Sequence, residues 1–329
     1  MSRYAAIAGT GAYLPDKVLT NFDLEKMVDT SDEWIQQRTG IVERRIAEPG
    51  MATSDLCIRA ARQAIKQAEL DPLDIEVIIV CTVTPDSFFP STACYVQRGI
   101  GAKRAYAFDL SAACAGFIYG MDIADGMIRS GRYENILIVG GEVFNKIIDW
   151  SDRNTCVLFG DAAGAAVFRA TDEPKGILSC YAGSDGDYAD VELLGMPAGG
   201  TRIPASHDSV EQKLHTIKMR GREVFKLGVR IMPEAAQRAL ELAGVGINDI
   251  DLFIPHQANI RIIEAVGDRL GIDRDKVFVN VNKYGNTSAA TTIVALDEAI
   301  RCGRAKPGDL ILMATFGAGL TWGGAVIRL

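Results

Sequence analysis

Apolar residues along this 329-residue chain fall in short runs separated by stretches of helical periodicity. Candidate strands occupy 77–83, 105–110, 135–139, 250–254, 276–281 and 310–315. Several are apolar at every position, the pattern of strands covered on both faces. Over 115–130, Phe117, Gly120, Met121, Ala124, Met127 and Ile128 recur at helical spacing, and Gly131 supplies a stop. A second helix is expected over 260–270, with Asn259 as its N-cap and Gly271 as its end. A third follows Asn286 and runs to about Arg301. Alternation of this kind predicts a layered α/β fold.

Two segments echo each other. Phe159-Gly160-Asp161, leading into small residues and an apolar strand, resembles Phe316-Gly317-Ala318-Gly319 and the run that follows it. The similarity hints at two related halves, 1–174 and 175–329, meeting near Pro174, although Gly/Ala-rich stretches also match by chance. The polar stretch 184–213 reads as a long surface excursion. Gly9-Thr10-Gly11 lacks the third glycine of a dinucleotide fingerprint and reads as a turn. No GxxxxGK[ST] segment supports an NTPase.

Composition narrows the function class. The balance is that of a globular protein, 48% hydrophobic and 23% charged. A net charge of −7 without a basic stripe argues against nucleic acid. The seven scattered cysteines contain no CxxC pair, which disfavours a disulfide framework or a metal site. Neither a membrane-spanning run nor a signal-peptide order at residues 1–15 is seen, so a cytoplasmic location is expected.

Three residues follow candidate strand ends, the edge where open α/β sheets bind ligands. Cys114, within Ser111-Ala112-Ala113-Cys114-Ala115-Gly116, sits where a strand gives way to a helix. A thiol there feels the positive end of the helix dipole, which favours the nucleophilic thiolate. A cysteine packed in a tight helix–sheet contact is the plainer reading. His256 ends the apolar run Leu252-Phe253-Ile254-Pro255. A structural histidine fits that position equally well. His207 and His215 lie in or beside the polar excursion and are expected at the surface. Asn286, within Tyr284-Gly285-Asn286-Thr287-Ser288, also suits turn and cap chemistry.

With these motifs the chain resembles the thiolase-like condensing enzymes, and most closely the β-ketoacyl-[acyl-carrier-protein] synthase III family. The resemblance spans nearly the whole length. It is carried by Asp29-Thr30-Ser31-Asp32-Glu33-Trp34-Ile35 with Arg38-Thr39-Gly40-Ile41, Ala113-Cys114-Ala115-Gly116-Phe117, Phe159-Gly160-Asp161 and Pro255-His256-Gln257-Ala258-Asn259. Gly285-Asn286-Thr287-Ser288-Ala289-Ala290 and Gly317-Ala318-Gly319-Leu320-Thr321-Trp322-Gly323 continue it. A Cys/His/Asn set fits this branch. Chalcone-synthase-like enzymes share the set, but they are longer and carry GFGPG where this chain has Gly317-Ala318-Gly319.

The resemblance implies a five-layered α/β/α/β/α fold of two similar halves, assembled as a homodimer, with no cofactor. It implies an acyl-CoA primer loaded on Cys114 and condensed with malonyl-acyl carrier protein (ACP), His256 and Asn286 being donors to the thioester oxygen. The oxyanion hole would be the N–H groups of Cys114 and Ala318, where many relatives have glycine. CoA would lie against Thr30, Trp34, Arg38, Arg153, Gly221 and Asn259, its adenine between Trp34 and Arg153. Read without the resemblance, Trp34 is a helix anchor and Arg153 a solvated charge. Lys226 and Arg261 would dock the acidic carrier protein. Phe89 would cap the partner's acyl pocket, and its bulk favours a short primer. A Cys/His thioester hydrolase, a condensing enzyme of secondary metabolism and a non-catalytic partner subunit are the alternatives.

Overall fold

The computed structural model describes residues 3–329 and contains two mixed sheets. The first is built from β1 (Tyr4–Tyr13), β2 (Val77–Cys81), β3 (Tyr106–Leu110), β4 (Asn135–Glu142) and β5 (Ala162–Thr171), in the order β1-β5-β4-β2-β3. The second contains β6 (Gly176–Ser184), β7 (Leu252–Pro255), β8 (Leu310–Gly317) and β9 (Thr321–Arg328), in the order β6-β9-β8-β7. Directions match as well as order. In each sheet two antiparallel pairings are followed by a parallel one. The expected strand over 276–281 shrinks to a single parallel bridge, Phe253 to Val277. Its ends are taken by a 3-10 turn, Arg274–Lys276, and a short helix, Val281–Tyr284. The bridge nevertheless stands where β3 stands in the first sheet.

The longer helices are α1 (Asp32–Thr39), α2 (Thr53–Gln67), α3 (Thr92–Ile100), α4 (Gly116–Arg129), α5 (Gly221–Ala243), α6 (Ile260–Leu270) and α7 (Thr291–Arg301), of which α2 to α7 pack on these sheets. One core cluster joins Val77 and Ile79 of β2 to Phe117 of α4, Ile293 of α7 and Ile311 of β8. Helices α4 and α7 therefore lie between the sheets. A second cluster packs α2 and α3 on the outer face of the first sheet, and a third packs α5 and α6 on the outer face of the second. The result is the five-layered arrangement. Both faces of each sheet are covered, which is why β2, β7 and β8 are buried along their whole length.

Local signals placed several boundaries closely. Asn259 caps α6 by accepting from the Arg261 N–H at 2.9 Å, and Gly271 ends it in the left-handed region at φ 68°. The Gly9-Thr10-Gly11 turn is corrected: these residues lie inside β1. A Cβ on Gly9 would sit 2.4 Å from the Ala64 carbonyl oxygen, and one on Gly11 would sit 2.4 Å from that of Ala60. The glycines are there to let α2 approach the strand. Gly9→Ala is accordingly expected to lower stability by about 2 kcal/mol. Urea denaturation reads this, and an unchanged midpoint would refute the packing role.

Candidate active site

The turn carrying Cys114 is built by the exit of β3. A short 3-10 turn, Ala113–Ala115, leads into α4, and Ala113 adopts φ 46°. That left-handed conformation is strained for a residue with a Cβ. Gly317, at the end of β8, abuts this turn so closely that a Cβ on it would lie 2.6 Å from the Cys114 nitrogen. The Thr321 hydroxyl ties the two elements by donating to the Ala112 carbonyl at 2.8 Å.

His256 extends the parallel ladder beyond β7, its N–H donating to the Ala314 carbonyl at 2.9 Å. Its ring is 2% exposed, meets the Phe316 ring edge-on and places Nδ1 2.7 Å from the Thr291 hydroxyl. The following Gln257 is clamped by four bonds to the backbone of Pro255, Phe278, Asn280 and Val281, which fixes the strand exit. Asn286 is pinned to the first half of the chain. Its N–H donates to the Leu158 carbonyl and its own carbonyl accepts from the Gly160 N–H. Its side-chain oxygen accepts from the Ser288 N–H at 2.8 Å, so the amide NH₂ is the end left for other partners. Ser288 repeats the backbone of Ala113, with φ 49° ahead of α7.

All three residues line one cavity of about 1000 Å³. Ser288, Phe316 and Ala318 share its wall. Ala318 does not need the left-handed region, so alanine is tolerated there. At the mouth stand Trp34, Arg38, Gly221, Lys226, Asn259 and Arg261. Arg222 also lines it and was not foreseen. It lies one turn before Lys226 on α5, and that i,i+4 spacing of two cations was the available signal.

Three other expected residues stand apart from this wall. Arg153 lies with its guanidinium 5.1 Å from the Trp34 ring, donates to the Asp29 carbonyl at 2.9 Å and is half exposed. A base between Trp34 and Arg153 needs two van der Waals contacts of about 3.5 Å each, so the arginine must swing outward to admit one. The Thr30 hydroxyl is buried without a partner among the described residues. Phe89 is 86% exposed beside Phe88 at 81%, on the loop after β2. Of the remaining histidines, His207 is exposed, whereas His215 is half-buried and bonded to the Ser209 hydroxyl at 2.9 Å.

Comparison with known proteins places this geometry. Residues 108–186 match the family described as 3-oxoacyl-[acyl-carrier-protein (ACP)] synthase III, and residues 240–329 match its C-terminal part. A β-ketoacyl-[acyl-carrier-protein] synthase III of Caldanaerobacter subterraneus is 58% identical over 98% of this chain and 97% of its own. The chain belongs to the β-ketoacyl-ACP synthase III family. The 3-oxoacyl-[acyl-carrier-protein] synthase III of Aquifex aeolicus superposes with a TM-score of 0.91 at 50% identity, covering 99% of this chain and 100% of its own. The priming β-ketosynthase of the R1128 polyketide biosynthetic pathway gives a TM-score of 0.91 at 37% identity, covering 100% of this chain and 97% of its own. It is thus a thiolase-like condensing enzyme, an acyltransferase.

Within this synthase III site, burial dominates the electrostatics. It pushes the Cys114 thiol up to about 12, against the opposing bonds from the Ser288 side chain and the backbone N–H of Cys114. Burial thus acts against the thiolate that the helix end was expected to favour. No groups of three or more metal-ligating side chains gather among the described residues. Glu142, wholly buried at the end of β4, accepts from the Val83 and Thr84 N–H groups and from the Thr82 and Thr84 hydroxyls. Burial still raises it to about 7, from an ordinary 4.5.

Burial also lowers His256 to about 3 from an ordinary 6.5, so its ring is neutral at physiological pH. Stability from that neutral ring is full above pH 6.5 and is lost as pH falls towards 3. Glu142 has the opposite sign. Its contribution is full below pH 4.5 and is lost as pH rises through 7. On going from pH 5 to pH 8, Glu142→Gln should therefore gain stability relative to the parent. Urea midpoints at both pH values measure this, and a constant difference would contradict the raised carboxyl.

Proposed function

We propose that this synthase III starts fatty-acid synthesis by condensing a short acyl-CoA with malonyl-ACP through an acyl group on Cys114. The observation that carries the reading is the meeting of Cys114, His256 and Asn286 on one cavity. Membership of a family whose curated relatives bear this activity in their name supports it. In the first half-reaction the Cys114 sulfur attacks the acyl-CoA carbonyl. The bond to Cys114 forms as the acyl bond to the CoA sulfur breaks, and the thiol proton passes to that sulfur, so CoA departs as its thiol. In the second, malonyl-ACP enters and loses carbon dioxide. The electron pair released becomes an enolate whose oxygen lies on His256 Nε2 and the Asn286 amide. The carbanion then attacks the acyl-cysteine, giving β-ketoacyl-ACP as the S–C bond breaks, and the Cys114 thiolate released takes a proton from water to become the thiol again. Removing one fixed donor aimed at such an oxyanion costs about 3 kcal/mol, and no strong base is needed because decarboxylation makes the carbanion.

The tetrahedral oxyanion sits on the N–H groups of Cys114 and Ala318. The CoA contacts are Thr30, Trp34, Arg38, Arg153, Gly221 and Asn259. The unpartnered Thr30 hydroxyl supports a polar ligand there, and the exposed cations Lys226 and Arg261 suit an acidic carrier protein. No cofactor takes part in this scheme, and the location is cytoplasmic. The halves 1–174 and 175–329 descend from one repeated unit, a division supported by the matching strand order of the two sheets. The enzyme works as a homodimer. Two adjacent, largely exposed phenylalanines, Phe88 and Phe89, are the kind of apolar patch that a subunit interface covers, and Phe89 then caps the partner's acyl pocket. The likeness to a polyketide-priming synthase favours a second reading, in which the same chemistry serves a specialised pathway.

Intact mass after incubation with acetyl-CoA is expected to show one acetyl adduct, absent from Cys114→Ala. Absence of any adduct across a panel of acyl-CoAs would refute priming from CoA. Asn286→Ala should keep the adduct while malonyl-ACP decarboxylation drops by roughly 10²–10³. Equal loss of both half-reactions would contradict the role given to Asn286. Product formation from malonyl-ACP compared with carrier proteins of specialised pathways separates the two readings.

A further inference from the structure

The reaction scheme asks something specific of His256. Its ring must stay neutral and yet present a hydrogen at Nε2 to the thioester oxygen. A neutral imidazole carries one N–H, so Nδ1 must then be bare and must accept a hydrogen bond where it is buried. Among the described residues, the one side-chain partner within bonding distance of Nδ1 is the Thr291 hydroxyl, 2.7 Å away.

Thr291 has a single hydroxyl proton and two takers for it. The Ser288 carbonyl lies 2.9 Å from Oγ1, and His256 Nδ1 lies nearer at 2.7 Å. The two differ in what each loses if refused. Ser288 O already accepts the backbone N–H of Thr291, so it is satisfied without the hydroxyl. Nδ1 has no second partner among the described residues, and a buried ring nitrogen left bare and unpaired is costly. Thr291 itself has little freedom. It is the first residue of α7, it is 2% exposed, and its branched Cβ limits χ1. Meanwhile the edge of Phe316 and the clamped Gln257 hold the ring and the backbone that bears it.

We propose that Thr291 is a positioning residue that donates its hydroxyl proton to His256 Nδ1, thereby holding the neutral ring as the Nε2–H tautomer that decarboxylation requires. The same element serves the other donor. Ser288, three residues earlier, fixes the Asn286 side chain through its N–H. The turn Ser288–Ala290 and the start of α7 thus set the orientation of both donors, and neither Ser288 N nor Thr291 Oγ1 needs to touch substrate. This inference rests on the reading of His256 as a hydrogen-bond donor to the thioester.

Two measurements test it. The chain has only three histidines, so ¹⁵N-imidazole labelling gives a resolvable spectrum, in which His256→Ala identifies the signals of that ring. The expected result at pH 7 is a protonated Nε2 and a bare Nδ1; a protonated Nδ1 would overturn the proposal. Half-reactions are then compared in Thr291→Val and Thr291→Ser. Valine keeps the shape but removes the hydroxyl, and should lower kcat for malonyl-ACP decarboxylation about tenfold, with KM and acyl-adduct formation changed far less. Serine should restore most of the rate. Adduct formation by Thr291→Val also reports that the variant is folded. Undiminished decarboxylation in Thr291→Val, when His256→Ala has lost it, would sink the role of Thr291 alone. Undiminished decarboxylation in His256→Ala would sink the donor reading beneath it.

Discussion

The backbone of Asn286 is bonded on both sides to the segment 158–160, while Gly317 at the end of β8 lies against the nitrogen of Cys114. Through these contacts the carboxyl edges of two separate sheets are held together at main-chain distance. Cys114 hangs from the first sheet, and His256 and the Gly317 turn from the second. Asn286 comes from the second half of the sequence and is anchored in the first. Backbone contacts this close tolerate little relative motion, because interiors pack at the density of organic crystals. That rigidity lets three polar groups from distant parts of the chain share a cavity wall with little reorganisation during reaction.

The same closeness explains the electrostatics. Sandwiching the site between layers removes water from Cys114, His256 and Glu142, and each group shifts towards its neutral form. A neutral histidine and a neutral thiol suit chemistry in which charge develops only transiently. They also make hydrogen-bond direction, rather than net charge, the property that the surrounding residues must control. Ser288 and Thr291 have no ionisable group, yet they determine which way the amide and the imidazole face.

Much of this was legible in the chain. The apolar runs that became β2, β4, β7 and β8 are buried on both faces, so their composition alone marked them. Asn259 and Gly271 bounded α6 because cap chemistry is local. Gly9 and Gly11 misled, since their reason lies 50 residues away on α2, beyond any local pattern. The run 276–281 has strand composition but sits at a sheet edge, where tertiary packing reduced it to one bridge. Cys114, His256 and Asn286 were each ambiguous singly and became persuasive as three strand exits. Glu142 and Thr291 escaped notice because a buried carboxyl and a helix-opening threonine look ordinary until their partners are visible. The pKa of the thiol was not legible for a related reason: the helix end is written in the sequence, whereas the depth of burial is not.

If His256 and Asn286 stabilise one developing oxyanion, their effects on malonyl-ACP decarboxylation cannot be independent. A double-mutant cycle with His256→Ala and Asn286→Ala measures their coupling. The shared-oxyanion geometry predicts that the double variant is only slightly slower than either single variant, because removing one donor already forfeits most of what the pair supplies. Fully additive losses would contradict it, and would mean that the two residues act at separate points in the reaction.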